Sequence, residues 1–187
     1  MRSPIHFFSV AEYLEAESKS EIRHEYLGGQ VFAMAGGSKA HNMITLNIAS
    51  LLRSLLRGNA CDVFMSDMKV KLKAANQNKT IFYYPDVLFT CNPEDRDKYF
   101  VNYPCAIFEV LSPSTEVSDR REKLVNYQTI ESLQEYVLVS QDKIQVEVYR
   151  QDLKGNWTME VLGNEDILVL NSINRSLTMA DIYEGIF

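Results

Sequence analysis

The sequence predicts one α/β domain whose central elements run α-β-β-β-α-β around a mixed sheet, with extra strands at both ends. Three observations predict it. One long segment, Met43 to Arg57, carries apolar residues at helical spacing, with Ile44, Ile48, Leu51, Leu52 and Leu55 on one stripe. Three apolar, strand-like runs follow it, then a second helical pattern and a further strand. The chain has 187 residues, 46% of them hydrophobic, enough for one core across residues 1–187 without staples.

The elements are justified in order. Ser9 and Glu12 form a capping-box pattern, so a short helix is expected over about Val10–Glu17. Gly28-Gly29 opens a strand over Gln30–Ala35, Gly36-Gly37 closes it, and Ser38 can start the next element. The long helix ends at Gly58-Asn59. The three strands are read as Asp62–Leu72, Thr80–Cys91 and Cys105–Leu111, with a polar turn over Ala75–Asn78 between the first two. Ser112-Pro113-Ser114-Thr115 breaks the chain before a helix over about Val117–Ile130, with Leu124, Tyr127 and Ile130 facing inward. Glu135–Ser140, Ile144–Arg150 and Trp157–Leu162 read as strands, the last two as a hairpin. Thr178 and Asp181 cap a final short helix.

Composition narrows the function. Cys61, Cys91 and Cys105 are odd in number and widely spaced, with no CxxC pair. That reads as reduced, mostly buried cysteine, not a disulfide framework or zinc site. The N-terminus shows no secretory h-region and no stretch approaches a membrane span, so a soluble, cytoplasmic protein with no membrane partner is expected. A net charge of −6 is the wrong sign overall for a nucleic-acid binder. Local cations stand against that balance: Lys69, Lys71, Lys73 and Lys79 on or near one strand, and Arg120, Arg121 and Lys123 on the later helix. From charge alone, ordinary solvated surface faces are the plainer reading of them.

Two carboxylates interrupt the apolar runs. Asp86 lies in Tyr84-Pro85-Asp86-Val87-Leu88-Phe89 and Glu109 in Ile107-Phe108-Glu109-Val110-Leu111-Ser112. A carboxylate in an apolar sheet is costly unless it is paired or holds a metal. Strand alternation puts Asp86 with Tyr84 and Leu88, and Glu109 with Ile107 and Leu111, so the two can meet on one face. Hard carboxylate oxygens suit Mg²⁺ or Mn²⁺. The alternative is structural: Asp86 capping a turn and Glu109 pairing with a cation at a strand end.

Lys123 lies 14 positions after Glu109 and, on a helix packed back along that strand, could bring its ammonium to the carboxylates. An i,i+4 ion pair with Asp119 is the plainer reading. His41, ahead of the long helix, can bind phosphate or act as acid or base, or be a surface residue near a cap. Glu25 can join a metal shell or cap a turn. The sequence contains no GxGxxG, Walker loop or GxSxG elbow.

Together these residues resemble the PD-(D/E)XK nuclease superfamily, with Pro85-Asp86 and Glu109-x-Leu111 on the second and third strands. The run Phe108 to Thr115, followed by Asp119, Lys123 and Tyr127, is more closely similar to a large bacterial family of restriction-endonuclease-like proteins once catalogued as a domain of unknown function. Glu25-x-x-Gly28 and His41 also match it, and the resemblance spans about Ser9 to Ser140, with the nuclease core at about residues 38–140. It implies a restriction-endonuclease-like fold and a Mg²⁺-dependent (or Mn²⁺-dependent) DNA endonuclease that hydrolyses phosphodiester bonds with metal-activated water. Asp86, Glu109 and the Val110 carbonyl would hold the metal, and Asp86, Glu109, Lys123, His41 and Glu25 would form the catalytic set. The lysine expected two residues after the glutamate is Leu111 here, and Lys123 is the matching position on the following helix. Cutting both DNA strands needs two sites, which points to a homodimer. Two alternatives remain: a catalytically inactive nuclease fold that binds DNA or protein, and a hydrolase for a small phosphoester.

Overall fold

A computed structural model describes residues 6–75 and 79–187. The expected polar turn falls largely on residues 76–78, outside the described residues. Helix α1 (Val10–Glu17) begins at the predicted capping box, with the Ser9 and Glu12 contacts both formed. It is followed by a hairpin, β1 (His24–Leu27) and β2 (Gln30–Ala33). Gly28 and Gly29 form its two-residue turn with φ of 58° and 111°, a combination that demands glycine. The sequence reading missed β1 and took the glycines for a strand opening.

Helix α2 (Lys39–Leu55) is capped by Ser38 and buries Ile44, Ile48 and Leu52. His41 therefore sits in its first turn, not ahead of it.

Two of the expected long strands are each broken, and their parts join different sheets. The run from Asp62 divides into β3 (Asp62–Met65) and β4 (Lys69–Lys73). The run from Thr80 divides into β5 (Thr80–Tyr83) and β6 (Val87–Thr90). Strands β4 and β5 pair with each other beside β1 in a five-stranded sheet ordered β2-β1-β5-β4-β7, where β7 is Phe100–Val101. Strands β3 and β6 enter a six-stranded sheet ordered β11-β10-β9-β8-β6-β3. Its other members are β8 (Ala106–Leu111), β9 (Glu135–Ser140), β10 (Val146–Gln151) and β11 (Trp157–Leu162). The α-β-β-β-α-β order survives in this larger sheet as α2, β3, β6, β8, a helix and β9, with β8 and β9 parallel. A hairpin, β12 (Ile167–Leu170) and β13 (Arg175–Thr178), was not anticipated; the capped last helix, α5 (Met179–Ile182), was.

The helix between β8 and β9 also differs from expectation. It runs on as α3 (Glu116–Ser118), a π-helical turn (Asp119–Lys123) and α4 (Leu124–Tyr127). A π turn fits an additional residue into one turn and commonly marks a functional site. Here Asp119, Lys123 and Tyr127 are all buried, while Arg121 and Glu122 stay exposed.

One face of the larger sheet presents Val87, Phe89, Phe108, Val110, Val137 and Val139 to α2 and α5. Its other face presents Leu88, Ile107, Leu111, Tyr136 and Leu138 to Tyr127 and to Val70, Leu72, Ile81 and Tyr83 of the smaller sheet. The sheets therefore sandwich the second core, and the chain passes between them at Tyr84-Pro85-Asp86.

Two further expectations are corrected. Cys61 and Cys91 form a disulfide with Cα atoms 4.1 Å apart. The antiparallel register that pairs Asp62 with Thr90 sets the preceding and following cysteines side by side, a proximity invisible at a sequence separation of 30. Cys105 remains free and half-buried. Lys69 is not on a wet face: it is buried, and its ammonium donates to the Tyr84 hydroxyl at 3.2 Å.

Candidate active site

Where the two sheets diverge, a cavity of about 240 Å³ opens, and Glu25, His41, Asp86, Glu109 and Lys123 all line it. Each arrives from a different element. Glu25 is on β1, opposite in direction to Tyr26, which packs outward on Tyr13 and Phe82. Glu109 is on β8, on the face it shares with Ile107 and Leu111, as alternation requires. Asp86 occupies the bend between β5 and β6, so its position comes from the crossing between sheets and not from strand alternation. Lys123 closes the π turn, and His41 sits under the Gly36-Gly37 loop. A Cβ on Gly37 would lie 2.7 Å from His41 Nδ1, so glycine is required for this close approach.

Two subsites can be distinguished. In the first, the Val110 amide donates to Asp86 Oδ2 at 2.7 Å, and His41 Nε2 lies 3.2 Å from the same oxygen. The antiparallel pairing of β6 with β8 ends at Val87 and Phe108. Val110 therefore turns its amide and carbonyl toward Asp86 with no strand between, since both groups of one residue face the same strand edge. Burial opposes charge on His41, but Asp86, Asp119 and the Val110 backbone outweigh it and hold the imidazole above its ordinary pKa.

In the second, Lys123 Nζ lies 3.1 Å from Glu109 Oε1, 3.1 Å from Asp119 Oδ1 and 3.3 Å from Glu25 Oε1. Tyr127 donates to Glu109 Oε1 at 2.9 Å. Glu109 is only 2% exposed. Burial pushes its carboxyl well up; Lys123 pulls it down, and Asp119, Asp86 and Glu25 push it up again. Burial disfavours charge on Lys123 as well, but Glu109, Glu25 and Asp119 together hold the ammonium well above its ordinary pKa. Both readings of Lys123 therefore hold at once: it makes the i,i+4 pair with Asp119 and reaches Glu109.

Sequence reasoning gave Asp119 and Tyr127 no chemical role. Their spacing from Lys123, four residues on either side, was the available signal, because such residues share one face of a helix. Tyr84, Ser112, Ser114, Thr115 and Ser118 also line the cavity. Arg120, read as part of a cationic cluster, is instead tied to Glu116 and Glu147.

The donor set fits a hard divalent cation. Three carboxylates, Glu25, Asp86 and Glu109, line the cavity and a fourth, Asp119, is buried behind Lys123, with one ammonium and one imidazole as compensation. Glu25 Oε1 and Asp119 Oδ1 are buried and accept no hydrogen bond. Asp86, Glu109 and the Val110 carbonyl supply oxygen donors of the kind Mg²⁺ and Mn²⁺ take.

A mixed α/β domain with carboxylates gathered beside its crossover helix is the arrangement that the sequence resemblance implies. The chain belongs to the Uma2 family, described as "putative restriction endonuclease", whose pattern it matches over residues 10–180. It is 38% identical over 185 residues to an uncharacterized Synechocystis protein, slr1290, covering 98% of this chain and 95% of the relative. A second uncharacterized Synechocystis protein, sll1609, is 31% identical over 161 residues, covering 84% and 89%. A crystal structure described as a putative nuclease of DUF820 from Anabaena variabilis superimposes with a TM-score of 0.73 at 18% identity, covering 98% of this chain and all of that one. The expected family and fold class are thus borne out. Among the described residues no helix is long and apolar enough to cross a membrane.

Proposed function

We propose that this chain is a metal-dependent endonuclease that hydrolyses DNA phosphodiester bonds. The observation that carries the reading is the charge imbalance: Glu25, Asp86 and Glu109 line the cavity and Asp119 is buried behind Lys123, against one ammonium and one imidazole. A divalent cation at Asp86, Glu109 and the Val110 carbonyl would neutralise the excess. When bound, it would supply Lewis acidity to the phosphate and lower the pKa of a water molecule.

The chain's own groups do the rest. Lys123 and Tyr127 fix the Glu109 carboxylate in one orientation. Lys123 lines the cavity, so its ammonium can also stabilise charge developing on phosphate oxygens. His41, whose protonated form Asp86 favours, stands at the cavity wall as a candidate donor to a departing oxygen. Leu111, where the superfamily pattern has lysine, joins the apolar core between the sheets, and Lys123 takes over the cationic position.

The test is nicking of supercoiled plasmid with Mg²⁺ or Mn²⁺, beside an Asp86→Ala control. Metal-dependent nicking by the parent chain alone is expected. Equal nicking by both proteins would remove Asp86 from the mechanism. Saturable Mn²⁺ binding without cleavage of any nucleic acid would favour the inactive binding module instead. Cleavage of both strands calls for two sites, so a dimer is proposed as the working state, to be read from light scattering of the purified chain.

A further inference from the structure

One exchangeable metal at Asp86 and Glu109 does not account for the crowding around Lys123. An ion pair needs one carboxylate, yet Glu25, Glu109 and Asp119 all lie within 3.3 Å of its Nζ. They come from three separate elements: β1, β8 and the π turn. Asp119 is 1% exposed, so water does not compensate it. Of the three oxygens facing Nζ, only Glu109 Oε1 receives a well-directed hydrogen bond from it. Asp119 Oδ1 and Glu25 Oε1 receive none from any group. Their compensation is charge alone. Oxygens converging radially on one point without directed hydrogen bonds are the pattern of a cation site.

We propose that Glu25, Glu109 and Asp119 form a second cation site, and that the Lys123 ammonium is its resident cation. Glu109 would then be shared between this fixed cation and the exchangeable metal, as a carboxylate is shared between the ions of a two-metal centre. The first site rests on the reading of function above; the second stands on the contacts of Lys123 and can be tested separately.

The spacing explains why the chain itself does not take a second metal there. Ammonium holds the oxygens at 3.1 to 3.3 Å. Mg²⁺ needs them at about 2.1 Å, so the ligands stand roughly 1 Å too far out. Accordingly, no group of three or more His, Cys, Asp or Glu among the described residues is spaced to hold a metal ion. Removing the lysine stem frees three flexible side chains to close that gap. A tethered ammonium cannot dissociate, so one of the two cations of the centre would be present at any metal concentration.

The experiment is Mn²⁺ titration by calorimetry, with thermal melting in parallel, on the full chain and its variants. The parent should bind one Mn²⁺ and Asp86→Ala none. Lys123→Ala should bind one more Mn²⁺ than the parent, and that added site should persist in Lys123→Ala/Asp86→Ala and vanish in Lys123→Ala/Asp119→Asn. If Lys123→Ala does not fold alone, recovery of its circular dichroism on adding Mn²⁺ supports the proposal equally. A Lys123→Ala chain that binds no more Mn²⁺ than the parent, and whose folding and melting ignore Mn²⁺, overturns it. A parent chain that binds no Mn²⁺ would defeat the metal reading of Asp86 while leaving the Lys123 result to decide the second site.

Discussion

If the cavity carries uncompensated negative charge, neutralising Glu109 should stabilise the metal-free protein. Glu109→Gln keeps an oxygen that can accept from both Lys123 and Tyr127, which now lie at 3.1 and 2.9 Å. Lys123 is not orphaned, because Asp119 and Glu25 remain at 3.1 and 3.3 Å. The substitution therefore removes a desolvated, repelled charge while leaving its cationic partner paired. Replacing a buried charge by a neutral group of similar shape is commonly neutral or stabilising, and about 1–2 kcal/mol of stabilisation is expected here. In a domain of this size that is roughly 2–8 °C in melting temperature. The pH dependence follows from linkage. The folded state holds the Glu109 proton above the unfolded value of 4.5, so wild-type stability falls as pH rises from there through the folded pKa. The advantage of Glu109→Gln should thus be small below that range and full above it. Urea denaturation in EDTA across pH 4 to 8, on the order of the range in which carboxylates titrate, reads both effects. A variant destabilised by about 3 kcal/mol or more near neutrality would refute the reasoning, since it would show the carboxylate to be a needed partner and not an excess charge.

Other outcomes follow from single contacts. Tyr127→Phe deletes the hydroxyl that donates to the buried Glu109 carboxylate and should cost about 1.5–3 kcal/mol in urea denaturation. His41 should titrate above its ordinary value of 6.5 by NMR, burial being outweighed by Asp86, Asp119 and the Val110 backbone. Its contribution to stability is full below 6.5 and is lost as pH rises through the folded pKa, and Asp86→Asn should lower that pKa. Reducing Cys61–Cys91, which are 30 residues apart, should lower stability by about 3–4 kcal/mol, read as a shifted urea midpoint with and without reductant.

Much of the fold could be read from local chemistry. The capping box at Ser9, the Thr178 N-cap and the helical stripe of α2 are short-range signals, and each appears where expected. Strands β9 and β11 likewise match their apolar runs. What escaped was long-range. An apolar run looks the same whether it stays in one sheet or crosses to another, so the breaks at Ser66-Asp67 and at Tyr84-Pro85-Asp86 were not visible. The disulfide was hidden for the same reason, because it depends on the pairing of β3 with β6. Within the cavity, Asp86 and Glu109 could be picked out because carboxylates are anomalous in apolar runs. Asp119 and Tyr127 were visible only as an ion-pair partner and an inward-facing residue, because their contacts with Lys123 and Glu109 depend on how the helix packs on β8.

The π turn connects that hidden geometry to the displaced lysine. Leu111 follows Glu109 by two residues and belongs to the apolar cluster with Tyr127, Ile130 and Tyr136, so an ammonium at that position would enter a packed core. A cation for Glu109 must then come from across the cavity, and the crossover helix is the element that packs there. Its wide turn buries Asp119 and Lys123 together, and the following turn adds Tyr127. One helix face thus supplies the ammonium, the acid beside it and the hydroxyl that orients Glu109. The three residues form a unit, so moving the lysine back to the strand alone would leave Asp119 buried without its cation. That is why Lys123, and not the strand position filled by Leu111, carries the charge in this fold.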